Sequence, residues 1–221
     1  MENKRNFQKE LEQVLTDIKE QKAMGKTLFL HSCCAPCSSY CLEYLRDYFL
    51  ITVFYYNPNI SMKAEYQKRV EEQKRLITAY NQEEKGYPIK IIEGNYNAQE
   101  FYDMAKGMES CPEGKERCFA CYELRLRETA KQAKAQGFDF FATTLTISPL
   151  KNAAKINEIG KKLSKEYGVS WLFSDFKKKN GYKRSIELSA QYELYRQDYC
   201  GCIYSKQERE RQKSSKCENN F

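Results

Sequence analysis

An α/β fold, with a mostly parallel sheet and helices on both faces, is the architecture this sequence predicts. Three observations carry that reading. Short apolar or β-branched runs alternate with longer stretches whose apolar residues recur at helical spacing. The run at residues 26–32 suits a strand buried on both faces. Neither an internal repeat nor a linker divides the chain, so residues 1–221 read as one domain with right-handed crossovers. Within it, residues 1–25 read as an N-terminal helical extension and residues 205–221 as a polar, charged tail, frayed or helical. The cysteine-bearing loops read as insertions on this scaffold.

Taken in order, Phe7, Leu11, Val14, Leu15 and Ile18 give a helix from Phe7 to Met24, ended by Gly25. After the first strand, Pro36 fits the first turn of a helix whose inner face is Leu42, Leu45 and Phe49. Ile51 to Tyr56 reads as the second strand, broken by Asn57-Pro58-Asn59. Ser61 is the expected N-cap of a polar helix to Tyr80. Ile89 to Ile92 is the third strand, followed by a helix over residues 97–106 and a turn-rich loop from Ser110 to Gly114. Phe119, Tyr122, Leu126, Ala130 and Ala133 form one stripe of a helix from Cys118 to Lys134. Phe138 to Thr143 is the fourth strand, and Ser148-Pro149 opens a helix through Ser164. Val169 to Phe173 is the fifth strand. A basic loop, Phe176 to Arg184, then leads to a helix over Ser185–Tyr195.

Charged residues make up 30% of the chain and hydrophobic ones 41%, which favours a folded domain over disorder. No apolar run approaches the length of a membrane span, and the charged N-terminus lacks a signal peptide's apolar core. A cytoplasmic address and no membrane partner are therefore expected. The net charge of +7 is compatible with a polyanionic partner. A single histidine, His31, excludes histidine-rich metal sites and Ser-His-Asp machinery, and it reads as a strand residue with a satisfied ring.

Ten cysteines are the distinctive feature, because a reducing compartment disfavours structural disulfides. Cys33, Cys34 and Cys37 crowd the end of the first strand, where open α/β sheets bind ligands. Cys37 lies in a first helical turn, whose dipole favours a thiolate. Cys118 and Cys121, three apart near a helix start, share one face. If that helix N-terminus faces the same sheet edge, Cys33, Cys34, Cys118 and Cys121 supply four sulfurs. Four thiolates suit structural zinc or a 4Fe–4S cluster. Adjacent ligands are awkward for a closed zinc knuckle, whereas neighbouring cysteines can reach different irons of a cluster. Cys200-Gly201-Cys202 would close a strained, easily reduced disulfide, as a cycling pair requires. It can also be two more ligands or two packed thiols. Asp198 is a proton donor, an iron ligand or a solvated turn residue. An ordinary packed thiol is the minority reading of isolated Cys41, and Cys41, Cys111 and Cys217 carry no assigned role.

Four blocks together resemble the cobalamin-independent epoxyqueuosine reductases: residues 33–37, Arg117 to Leu126, Thr143 to Pro149, and Tyr195 to Cys202. The resemblance runs from about Lys26 to Tyr204. It implies reduction of epoxyqueuosine to queuosine at the wobble position of tRNA, the final step of queuosine synthesis. It also implies a nucleotide-binding-like fold related to tRNA thiolation enzymes. On the same analogy Cys33, Cys34, Cys118 and Cys121 hold a 4Fe–4S cluster and Cys200 with Cys202 form the redox-active pair. An additional iron ion is touched by Cys37 or Asp198. The electron donor stays unidentified.

A tRNA partner needs phosphate contacts and base capture. Lys177, Lys178, Lys179, Lys183 and Arg184, interleaved with Phe176 and Tyr182, offer both, although such a loop can equally be a solvated one. Thr143, Thr144, Thr146, Lys151 and Asn152 are further candidates for contacts to the base. Two other classes compete: a zinc-stabilised, non-catalytic RNA-binding module, and another cysteine-based tRNA-modifying enzyme. An ATP-using sulfur transferase is disfavoured, because Cys33-Cys34-Ala35-Pro36-Cys37 stands where a Ser-Gly-Gly phosphate loop would be.

Overall fold

The computed structural model describes the backbone of residues 5–21 and 25–218, with side chains up to residue 214. Five strands, β1 (Lys26–His31), β2 (Phe49–Tyr55), β3 (Lys90–Glu93), β4 (Phe140–Thr143) and β5 (Ser170–Trp171), make one all-parallel sheet in the order β3-β2-β1-β4-β5. Eight helices are described: α1 (Phe7–Glu20), α2 (Ala35–Leu45), α3 (Lys63–Gln82), α4 (Ala98–Ala105), α5 (Glu116–Ala135), α6 (Ala153–Tyr167), α7 (Gly181–Gln191) and α8 (Ile203–Glu218). The order reverses direction between β1 and β4. In doubly wound sheets that reversal leaves a crevice beyond the carboxyl ends of the strands.

Alternation along the central strands builds two cores. On β1, Leu28 and Leu30 face one way and join Leu11 and Leu15 of α1, Leu42 and Leu45 of α2, and Leu76 of α3. Phe29 faces the other way and joins Leu126 and Ala130 of α5 and Ile156 and Leu163 of α6. The helices thus cover both faces, as a parallel sheet of apolar strands requires. The stripe expected in the N-terminal extension lies inside the first core, with Leu11 fully buried.

Several boundaries differ from the sequence reading. Helix α1 is described to Glu20; the rest of its expected span, residues 22–24, lies outside the described residues. Gly25 takes a left-handed φ of 82° just ahead of β1. Ser148-Pro149 does not open a helix. A 3-10 turn, Thr144–Ile147, follows β4, and α6 begins at Ala153, where the Asn152 side chain accepts from the Lys155 N–H at 3.0 Å. A side chain that caps the N–H groups wins over proline's preference for a first helical turn. Ser61 caps nothing in α3, whose N-cap is Met62. The basic segment is not all loop: Lys183 and Arg184 lie in the first turn of α7.

His31, at the end of β1, is fully buried and satisfied. Its Nε2 donates to the Tyr56 carbonyl at 3.1 Å, which leaves Nδ1 to accept from the Thr143 hydroxyl at 2.8 Å. Burial holds its pKa down at about 3, so the ring is neutral.

Gly160 of α6 lies flat against Trp171 of β5, whose Nε1 donates to Asn157 at 3.0 Å. A β-carbon at Gly160 would sit 2.2 Å from the indole ring. Gly160→Ala is expected to destabilise the chain by about 1–3 kcal/mol through overpacking. Urea unfolding should show a lower midpoint with an unchanged slope; an unchanged midpoint would mean that the packing yields.

Candidate metal and redox centre

The first thiol group grows out of the end of β1. Cys34 is the extended residue ahead of α2, and Pro36 fixes the first turn. Polar bonds pin the bend: Ser32 and Ser38 both donate to Gln73 Oε1 of α3, at 2.7 and 2.6 Å, and Asn57 Nδ2 donates to the Ser32 carbonyl at 2.8 Å. The three sulfurs of Cys33, Cys34 and Cys37 lie within 4.8 Å of one another, close enough to share a metal ion. Cys34 is buried, while Cys33 and Cys37 are partly exposed.

Crowded thiols cannot all ionise. Hydrogen bonds from Cys34 and Cys37 hold the Cys33 thiol well below its ordinary range. The same bonds push Cys37 well up, and Cys34 rises to about 12. The helix dipole expected to favour a thiolate at Cys37 is outweighed by these contacts, which favour ionisation at Cys33 over Cys34 and Cys37.

The second group sits in the opening turns of α5. Gly114, at φ 84°, turns its N–H onto the Cys118 sulfur at 3.1 Å. Cys121 is buried, and burial raises its thiol to about 11. Cys111, which stands outside this group, donates to Glu116 at 3.4 Å. Cys41 is a buried core thiol donating to the Cys37 carbonyl at 3.4 Å.

The third group, Cys200-Gly201-Cys202, is a loop between α7 and α8 docked onto the start of α3. Ser61, the failed cap, does this work: its N–H donates to the Gly201 carbonyl at 3.1 Å and its hydroxyl accepts from Ile203 at 2.9 Å. Arg69 Nη1 donates to the Cys200 carbonyl at 3.2 Å. Gly201 has φ 116°, and a β-carbon there would meet Ile60 at 2.9 Å, so both conformation and space call for glycine. Burial raises Cys202 to about 12, with Cys200, Cys121 and Cys118 adding to it.

The groups meet around two voids. A cavity of about 570 Å³ is lined by Cys33, Cys37, Cys200 and Asp198 among others. A narrow crevice of about 20 Å³, room for about one water, is lined by Cys118, Cys121, Cys200 and Cys202. Glu113, Lys151, Cys200 and Ser205 line both. Room for a larger occupant lies on the cavity side.

Three cations act on the sulfurs, and of these the sequence reading had named only Lys151, as a candidate for contact to the base. Burial works against the charge of Lys151, but Cys200, Cys33 and Cys37 more than offset it. Arg125 of α5 is treated alike by Cys121, Cys200 and Cys33. Arg69 pairs with Glu65 at 2.7 Å. Arg69 and Arg125 were not singled out in the sequence; for Arg125 the available signal was its place one turn after Cys121 inside a matched block.

The remaining candidates fall as follows. Asp198 is exposed, paired with Lys213 at 2.6 Å, and held below the usual carboxylate range by it. It is therefore ionised at neutral pH, an acceptor and a possible ligand rather than a proton donor. Thr143, Thr144 and Thr146 are fully buried and engaged with His31, Cys33 and Ser174 at 2.8, 3.8 and 3.1 Å, so they do not face a base. In the basic segment, Lys177 pairs with Asp175 at 2.5 Å, Lys179 with Glu12 at 2.5 Å, and Arg184 with Glu43 at 2.7 Å. Lys178 and Lys183 have no ion pair among the described residues, and Tyr182 lines the large cavity. The side chain of Cys217 lies outside the described residues. No described helix is long and apolar enough to cross a membrane.

Residues 28–208 match the family model described as epoxyqueuosine reductase QueH. Among curated proteins, the epoxyqueuosine reductase QueH of Staphylococcus epidermidis is 43% identical over 202 residues, covering 90% of this chain and 84% of the relative. That of Streptococcus pyogenes serotype M1 is 41% identical over 200 residues, covering 90% and 78%. That of Thermotoga maritima is 35% identical over 186 residues, covering 83% and 92%.

The thiol assignment has a direct test. In metal-free, reduced protein near neutral pH, iodoacetamide should label Cys33 before Cys34, Cys37 and Cys41, read by peptide mass spectrometry. Replacing Cys34 and Cys37 together with Ala should raise the Cys33 pKa and slow its labelling. Preferential labelling of Cys34 or Cys41 would refute the assignment.

Proposed function

The chain belongs to the epoxyqueuosine reductase QueH family, a family of oxidoreductases, and on that premise we propose that it reduces epoxyqueuosine to queuosine at the wobble position of tRNA. The observation that carries the reading is the gathering of Cys33, Cys118 and Cys200, with their neighbouring thiols, around shared walls that include Lys151. A binding module needs one set of metal ligands; this chain carries two adjoining thiol groups, Cys33, Cys34 and Cys37 within 4.8 Å of one another and Cys118, Cys121, Cys200 and Cys202 along the narrow crevice.

The donor set suits iron–sulfur chemistry. Soft thiolates select zinc, copper(I) or iron–sulfur centres, and buried guanidinium groups beside them suit an anionic occupant. Cys33, Cys34, Cys118 and Cys121 would hold a 4Fe–4S cluster, and Cys37 or Asp198 would touch an additional iron. Such a centre supplies one-electron transfer and Lewis acidity toward the epoxide oxygen. Cys200 and Cys202 supply the stoichiometry: dithiol to disulfide releases two electrons and two protons. These convert an epoxide to an alkene and water. An electron donor outside this chain restores the dithiol. The cavity of about 570 Å³ has room for a modified base, and Tyr182 on its wall offers a stacking face.

A second reading has one observation in its favour. Cys200 and Cys202 share the narrow crevice with Cys118 and Cys121, as ligands of one centre would. Cys200→Ser and Cys202→Ser separate the two. As a redox pair, each variant should keep the visible absorbance and iron content and lose turnover. Loss of iron in both would make them ligands. Serine at Cys33, Cys34, Cys118 or Cys121 should instead bleach the centre. Iron, sulfide and zinc analysis after anaerobic purification decides against a zinc module, which would be colourless and iron-free.

The tRNA contact is tested by salt. We expect affinity to fall steeply with ionic strength, and neutralising Lys178 or Lys183 to reduce the log–log slope by about 0.7–0.9 each. Neutralising Lys177 or Lys179 should change it less, because Asp175 and Glu12 already pair with them. Equal slopes in all variants would remove this segment from the interface.

A further inference from the structure

Arg125 is among the largest fully buried side chains, with 1% of its surface exposed. Among the described residues no carboxylate pairs with it. Its Nε donates to the Cys121 carbonyl at 3.2 Å and its Nη1 to Asn57 Oδ1 at 3.4 Å, while Nη2 has no partner. The side chain lines the crevice shared by Cys118, Cys121, Cys200 and Cys202. A guanidinium taken out of water with neither a counter-ion nor a full set of acceptors is strongly unfavourable on its own. Four cysteines share that crevice with it, and Cys121, Cys200 and Cys33 act to favour its charged form. Asn57 and the helix backbone fix the fork, so Nη2 is aimed rather than free to turn away.

We infer that Arg125 is the fixed counter-charge of the sulfur-held centre, donating from Nη2 to a sulfur and setting how readily that centre accepts an electron. The inference rests on the reading of a thiolate-held iron–sulfur centre at this site. One-electron reduction adds a negative charge to the centre. A buried cation and a hydrogen bond to sulfur both favour the more negative state. Arg125 therefore raises the reduction potential, and it is a positioning residue in this scheme because it touches the centre's ligands rather than the substrate.

The test uses the chain purified anaerobically with its centre loaded, as wild type, Arg125→Gln and Arg125→Lys. The readouts are iron and sulfide content and the midpoint potential from a spectroscopically monitored titration. Arg125→Gln, which removes the charge, should shift the reduction equilibrium at least tenfold toward the oxidised form, about 59 mV for a one-electron couple. Arg125→Lys, which keeps the charge, should stay well inside that shift. A midpoint in Arg125→Gln equal to wild type, with full iron content, would overturn the inference. Should Arg125→Gln fail to retain the centre, Arg125→Lys decides: retention with a near-wild-type midpoint supports a role for charge, and loss there too makes Arg125 a packing residue. Wild-type protein holding zinc instead would sink the cluster reading. The charge role is then read from zinc release to a chelator, expected at least tenfold faster in Arg125→Gln and refuted by equal rates.

Discussion

Charge at the sulfurs is the constraint on which the rest of this structure depends. Cys33, Cys34 and Cys37 lie so close that one thiolate suppresses the other two, and burial pushes Cys121 and Cys202 in the same direction. Such a group has two ways to become more anionic: bind a metal, or sit among fixed cations. Arg125, Arg69 and Lys151 provide the second and prepare for the first. A cationic wall of this kind is unfavourable around neutral thiols and favourable around thiolates, the state that the proposed metal centre requires of its ligands.

The scaffold is arranged to hold those charges in place. The reversal between β1 and β4 opens the sheet edge where Cys33 and Cys34 emerge. Helix α5 presents Cys118 and Cys121 from its first turns, and its next turn delivers Arg125. The third thiol pair comes from the far end of the chain and is fastened by Ser61, just ahead of α3, and by Arg69 in its second turn. Gly201 permits that approach by taking a backbone conformation that other residues resist. A long-range contact thus carries the proposed redox pair, while local turns carry the proposed ligands. That division suits a pair that cycles beside a centre that stays put.

Much of the fold was legible because its causes are local. A continuous apolar run marked β1, β-branched and aromatic residues marked β2, helical spacing marked α1 and α5, and the single histidine was rightly read as a satisfied strand residue. Errors fell where a distant partner overrode a local preference. Ser61 has the chemistry of a cap but is taken by Ile203. The threonines of the β4 end have free hydroxyls in sequence but are bonded inside the core. In the basic segment, the pairing of Lys179 with Glu12 of α1 and of Arg184 with Glu43 of α2 is invisible in the sequence for the same reason.

By itself the sequence determined the thiol groups, the single histidine and the alternating α/β pattern, and so a parallel sheet carrying clustered cysteines. Ligand identity and spacing are properties of short segments, so they survive without coordinates. Only the tertiary structure decided which thiols share walls, which thiol carries the charge, and which cations face them. Electrostatic interactions and desolvation depend on distance and burial, not on order along the chain. Arg125 and Cys33, far apart in sequence, come to act on one another for that reason.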